Sequence, residues 1–156
     1  MEKTLIILKP DAIQRHLTGK IISRFEEKGF QIVGLKMMQI PESLAKKHYS
    51  MHEGKDFFES LVRYTTSSPV VVMALKGKNV IEITRKMMGA TFGSRAEPGT
   101  IRGDYAVSNR FNLIHGSDSP ASAEKEIGIF FRNEELSEYT LHGASWIYDI
   151  SSGDAV

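Results

Sequence analysis

The chain contains no cysteine. Disulfides, cysteine-ligated zinc and iron–sulfur centres are therefore excluded, and a reducing compartment suits such a chain. Long apolar runs are missing too. The longest, residues 70–75, has six residues, far short of the roughly 20 that cross a bilayer. The run at residues 5–8 has four, too few for the apolar core of a signal peptide, so the cytoplasm is the expected location. Charge of one sign is not in excess. Twenty Lys and Arg face nineteen Asp and Glu, a net charge of +1, which gives no reason to expect nucleic acid as a partner. Several motifs are absent: G-x-x-x-x-G-K-[ST], G-x-G-x-x-G and H-E-x-x-H. A chain of this kind that binds nucleotide phosphates must use cationic side chains and Mg²⁺ in place of a backbone cradle.

What is present fits one ordinary globular domain. The 156 residues are 41% hydrophobic and 25% charged, with no linker or repeat. One domain over residues 1–150 is expected, with a loose polar tail at 151–156. Residues 4–8 read as a buried strand. Leu17, Ile21 and Phe25 recur every four residues before Gly29, an amphipathic helix and its stop. Residues 30–40 and 69–75 read as strands. Pro41 is expected in the first turn of a helix carrying Leu44, His48 and Met51. Asp56 with Glu59, and Asn79 with Glu82, have capping-box spacing ahead of two further helices. Residues 111–114 read as a short strand, and Ser119-Pro120 opens a helix with Ala123, Ile127 and Phe130 on one face. The pattern implies an α/β or α+β domain with a sheet of about four strands, and periodicity leaves the strand directions open.

Residues 90–110 stand out as a long stretch rich in Gly, Arg, Ser and Thr, either disordered or functional. Five histidines are candidates for chemistry. His16 and His142 have surface-like surroundings. His48 and His52, four apart, could share a helix face and clamp a metal, but no third ligand has a telling spacing, and no protein-held metal is expected. His115 ends an apolar segment and meets Gly116-Ser117-Asp118, with Glu126 on the following helix. It reads either as a structural strand-end histidine or as a nucleophile with room for a ligand. Lys9, Arg85 and Arg102 are the cations placed to meet phosphates, each otherwise a surface cation.

Several segments together resemble the nucleoside diphosphate kinases. They are Lys9-Pro10-Asp11, Tyr49, Phe57-Phe58, Arg85, Thr91, Pro98-Gly99-Thr100-Ile101-Arg102-Gly103-Asp104, Asn112-Leu113-Ile114-His115-Gly116-Ser117-Asp118-Ser119, Ser122-Ala123-Glu124-Lys125-Glu126 and Trp146-Ile147-Tyr148. The resemblance runs in order from about residue 3 to 149. It implies a ferredoxin-like α+β sandwich with a four-stranded antiparallel sheet covered by helices. It implies transfer of a γ-phosphoryl group from a nucleoside triphosphate to a diphosphate, with Mg²⁺ carried mainly on the nucleotide phosphates and His115 as the nucleophile. Lys9, Tyr49, Arg85, Thr91 and Arg102 would meet the phosphates or the phosphohistidine. Lys9 and Asn112 would hold the ribose, and Phe57 and Leu61 would line one side of the base. Ser117 and Glu126 would support His115. A homo-oligomer is implied, a hexamer in preference to a tetramer. Two positions depart from the common pattern: Gly93 stands where proline is frequent, and Asn109 where an apolar residue usually faces the base.

Overall fold

The computed structural model describes residues 1–149 and Ser151. The expected loose tail at 151–156 thus lies outside the described residues except for Ser151. The elements run β1 (Glu2–Leu8), α1 (Pro10–Gln14), α2 (Thr18–Glu27), β2 (Gln31–Met38), α3 (Glu42–His48), α4 (Phe58–Thr65), β3 (Val70–Gly77), α5 (Val80–Met88), α6 (Ile101–Tyr105), β4 (Ile114–Gly116) and α7 (Pro120–Phe130), with short 3-10 turns between some of them. The strands form one sheet in the order β2-β3-β1-β4, every pair antiparallel. This is a ferredoxin-like α+β fold, and it resolves the strand directions that periodicity left open. Among the described residues no helix is long and apolar enough to cross a membrane.

Side chains alternate across a strand, so β1 serves two cores at once. Ile6 and Leu8 pack with Ile21 and Phe25 of α2, Met88 of α5 and Met73 and Leu75 of β3. Leu5 and Ile7 pack on the opposite face with Ala45 of α3, Phe58 and Val62 of α4 and Phe130 of α7. That is why residues 4–8 read as a continuous apolar run and not an alternating one. Leu5, Ile6, Ile7 and Leu8 are each at most 1% exposed. Truncating any of them to alanine should cost about 2–5 kcal/mol.

Several local expectations need correction. Neither proposed capping box forms. Phe57, not Asp56, is the N-cap of α4, and Asn79 caps α5 with φ 51° and no side-chain hydrogen bond. Backbone conformation and packing start both helices without them. Pro41 precedes α3 in an extended conformation instead of lying in its first turn. The segment Pro10–Gln14 is helical, which the pattern did not announce. Strand β4 begins at Ile114, so His115 lies within it and not at its end.

Residues 90–110 are ordered. A 3-10 turn (Gly93–Arg95) packs against α6. The approach is so close that a Cβ on Gly93 would lie 2.3 Å from the Ala106 carbonyl oxygen, and one on Gly103 would lie 1.9 Å from that of Glu97. Only glycine fits at either place, which gives Gly93 a local reason. Thr100 caps α6 by accepting from the Gly103 N–H at 3.0 Å. Arg24 of α2 ties the segment down through the Gly99 carbonyl and the Asp104 carboxylate.

Candidate active site

Two excursions from the sheet, the α3–α4 hairpin and residues 90–110, meet over the β1–β4 end of the sheet. Between them lies a cavity of about 550 Å³ lined by Lys9, Tyr49, Phe57, Leu61, Asn112 and His115, with Thr91 and Asn109 also on its wall. His115 pairs with Ile7 across the β4–β1 ladder, so its ring takes the same face as Ile7, toward α3 and α7.

Helix α7 returns Glu126 to that ring. Nε2 of His115 lies 3.0 Å from Oε2 of Glu126, and the same oxygen accepts from the Ser117 hydroxyl at 2.6 Å. Ser117 is itself fixed, because its Oγ accepts from the Leu5 N–H at 3.2 Å. Burial would raise the Glu126 pKa, but the bonds from His115 and Ser117 outweigh it and hold the carboxyl below its usual range. An ionised carboxylate only accepts, so Nε2 must carry the proton and donate it. In the neutral ring Nδ1 then keeps its lone pair.

Leu113, with φ 70°, turns the chain immediately before β4. Such a conformation costs a non-glycine residue about 1–3 kcal/mol and persists only where neighbours over-determine it. Here the Leu113 N–H donates to Asp11 at 3.1 Å, and the Lys9 N–H donates to the Leu113 carbonyl at 2.8 Å. The turn directs Asn112 at Lys9. Its Oδ1 accepts from Lys9 Nζ at 2.6 Å and its Nδ2 donates to the Thr91 carbonyl at 2.8 Å. Asp11 was not among the expected site residues. It also accepts from the Tyr64 hydroxyl, and its place in Lys9-Pro10-Asp11 was the available signal.

Two of the three candidate cations are unusually buried. Lys9 is 8% exposed, and burial together with the nearby Arg102 charge lowers its pKa to about 8. Arg102, 6% exposed, is lowered to about 10 by burial and by Arg85. Its guanidinium donates to the carbonyls of Asn112, Gly89 and Ile114 at 3.2, 3.0 and 2.7 Å. Arg102 thus pins the strand that carries His115 while leaving part of its five-donor fork unused. Arg85 is exposed, reaches the Gly116 carbonyl at 3.3 Å, and borders a wider neighbouring cavity of about 720 Å³ with Asp118 instead of the His115 cavity. Tyr49 is buried, and its hydroxyl accepts from Thr65 at 3.5 Å. Phe57 is 48% exposed at the mouth, offering a ring face.

His48 and His52 do not share a helix face. Helix α3 ends at His48, and His52 lies in the following 3-10 turn, edge-on to Phe57. His48 is buried, edge-on to His115 with ring centroids 4.7 Å apart. Burial, then the His115 charge, lower its pKa to about 3, so it is neutral at pH 7. Its position four after Leu44, on the apolar side of α3, was the only signal in the sequence. His16 and His142 are exposed, away from this cavity.

Comparison with known proteins identifies the family. The family model for nucleoside diphosphate kinase matches residues 2–136. The nucleoside diphosphate kinase of Roseiflexus sp. (strain RS-1) is 58% identical over 149 residues, 96% of this chain and 100% of that protein. That of Pelotomaculum thermopropionicum is 56% identical over the same coverage. Among solved structures, the halophilic nucleoside diphosphate kinase of Halobacterium salinarum in complex with CDP superposes with a TM-score of 0.93 at 45% identity, covering 94% of this chain and 98% of that one. The chain belongs to the nucleoside diphosphate kinase family and is a phosphotransferase.

Proposed function

We propose that the enzyme moves the γ-phosphoryl group of a nucleoside triphosphate to a nucleoside diphosphate in two half-reactions through phosphorylated His115. The observation that carries this reading is the 3.0 Å contact between His115 Nε2 and Glu126, beside an open cavity. With Nε2–H donated to the carboxylate, the Nδ1 lone pair attacks the γ-phosphorus. The bond to the β,γ-bridging oxygen breaks and the diphosphate leaves. Glu126 stabilises the imidazolium that forms. A second diphosphate then attacks the phosphoramidate, the P–N bond breaks, and His115 is regenerated. Direct transfer would require two polyanions to face each other, and the covalent intermediate avoids this.

Positioning and charge supply most of the rate. Lys9, Tyr49, Thr91, Arg85 and Arg102 meet the phosphates, Arg85 after turning from its present cavity. Lys9 and Asn112 hold the ribose, and Phe57 and Leu61 take one side of the base. Among the described residues the polar lining of the cavity is hydroxyls, amides, cations and His115, with no carboxylate, which suits Mg²⁺ arriving on the substrate phosphates. Leu35 and Met37, 52% and 61% exposed on the outer strand β2, support a homo-oligomer, and the preference for a hexamer over a tetramer rests on the family resemblance alone.

The test is to incubate the protein with γ-labelled ATP and no acceptor. One site per chain should label, survive base and break in acid, since protonation makes imidazole a good leaving group. Added diphosphate should discharge the label into triphosphate, with ping-pong kinetics. Full labelling of His115→Ala would remove this histidine from the reaction.

A further inference from the structure

Both ring nitrogens of His48 are buried without a hydrogen-bond partner in the described structure, in a residue only 4% exposed. A buried imidazole with neither nitrogen paired is unfavourable unless something occupies it. Next to it stand His115 and Glu126. One ligand atom from each of the three lies within 4.8 Å of the others, and the His115–Glu126 pair is already at 3.0 Å. A tetrahedral ion with bonds near 2.0–2.1 Å needs ligand atoms about 3.3 Å apart, which modest ring rotations supply. The cavity gives a way in, because His115 remains partly exposed on its wall.

We propose that His48, His115 and Glu126 form a binding site for a borderline-soft divalent cation of the Zn²⁺ type, and that its occupation switches off phosphoryl transfer. Two imidazoles and one carboxylate, with a fourth position open to the cavity, are a donor set that suits Zn²⁺ and disfavours Mg²⁺, which demands oxygen ligands in octahedral array. The substrate's Mg²⁺ would therefore not compete effectively. Inhibition follows whichever nitrogen of His115 binds. If Nδ1 ligates the ion, its lone pair is consumed. If Nε2 does, the neutral ring must carry its one proton on Nδ1, which again has no lone pair to attack with. This consequence rests on His115 being the nucleophile, whereas the binding itself does not.

The experiment has two arms. In the first, nucleotide-free enzyme is titrated with Zn²⁺ by calorimetry and with Co²⁺ by visible absorption. One ion per chain should bind, with the intense d–d bands of tetrahedral Co²⁺. His48→Gln should weaken both by more than the roughly 10- to 100-fold that loss of a mere outer-shell partner costs, while His52→Ala should not. Unchanged binding in His48→Gln overturns the proposal. So does octahedral Co²⁺ absorption or no binding in the wild-type protein, a result that does not depend on how the variant folds. In the second arm, Zn²⁺ should block labelling by γ-labelled ATP in wild-type enzyme at constant excess Mg²⁺, reversibly with a chelator. Tight binding at this site with undiminished labelling would instead count against His115 as nucleophile and against the switch, leaving the metal site standing.

Discussion

Lys9 offers a prediction in which stability and activity move apart. Its ammonium is held at the cavity by Asn112, the one side-chain acceptor it meets among the described residues, and its pKa is lowered from 10.5 to about 8. At roughly 1.4 kcal/mol per tenfold, keeping it protonated in the fold at pH 7 costs on the order of 3 kcal/mol relative to the unfolded chain. The sign follows from proton binding. Between pH 8 and 10.5 the unfolded chain still holds this proton and the folded one has lost it, so wild-type stability gains from this group as pH rises. Lys9→Met removes the buried charge but leaves Asn112 Oδ1 without its donor, a loss of about 1–3 kcal/mol. The two effects nearly cancel at pH 7. The variant should therefore fold with stability equal to or slightly above wild type, yet lose turnover by tenfold or more, since a charge-assisted contact to the transferring phosphate contributes about 1.5–3 kcal/mol. Denaturant melts of both proteins from pH 7 to 10.5 provide the check. Other groups titrate alike in both, so the difference curve isolates Lys9 and should swing against the variant by roughly 3 kcal/mol. Parallel stability curves, or wild-type turnover in the folded variant, would refute the reasoning.

Three further outcomes are expected. ATP, GTP, CTP and UTP should all serve as donors within about one to two decades, because Phe57 offers a π-face that every base can stack on. The bias that remains should shrink in Asn109→Val, since the Asn109 carbonyl is tied to Ser94 at 2.7 Å and its NH₂ is the group left to meet a base. Glu126→Gln should lower turnover at least about tenfold by releasing the Nε2 proton that fixes the tautomer. Because the folded carboxyl is depressed, its stabilising effect is present above about 4.5 and lost as pH falls below it, so wild type and variant should converge in stability on acidification. Replacing Leu35 and Met37 together by lysine should lower the native mass measured at micromolar concentration, since charge on an outer strand opposes edge-to-edge association. An unchanged mass would move the interface elsewhere.

How much of this was legible beforehand depended on whether a signal was local. The strand at residues 4–8 and the helices of Ile21, Phe25, Ala123 and Phe130 were readable because a half-buried helix or a doubly buried strand writes its environment into its own spacing. The role of Ser117 came from the family resemblance, whereas the partnership of His115 and Glu126 was readable because a turn and a helix separate them by only 11 residues. Asp11 and His48 were not. Asp11 acts on Leu113, 102 residues away, through a backbone N–H that no spacing rule marks. His48 resembles any polar residue near a helix end until the fold brings its ring onto His115. The cap signals failed for the opposite reason. Asp56 and Asn79 satisfy a local rule, but tertiary packing had already positioned the helices that follow.

The buried cations also determine how protons move when a nucleotide binds. Lys9 and Arg102 are both lowered in the nucleotide-free protein, first by burial, and then Lys9 by Arg102 and Arg102 by Arg85. A phosphate chain entering beside them supplies the missing negative charge. Its attraction for the ammonium opposes the penalty of burial and raises the Lys9 pKa. By linkage, binding then takes up a proton wherever free Lys9 is already neutral and bound Lys9 is charged. At pH 8.5, above the free value of about 8, ADP binding should draw most of one proton from the buffer. At pH 6.5 both states hold the proton and uptake through Lys9 should vanish. Calorimetry in two buffers of different ionisation enthalpy reads this directly, as a difference in apparent binding enthalpy at pH 8.5. The ADP phosphates are fully ionised at that pH and cannot supply the effect. Lys9→Met should bind more weakly and show no buffer dependence. Equal enthalpies in the two buffers with wild-type protein at pH 8.5 would mean that the phosphates never reach Lys9, and would return it to the role of a buried strut for Asn112.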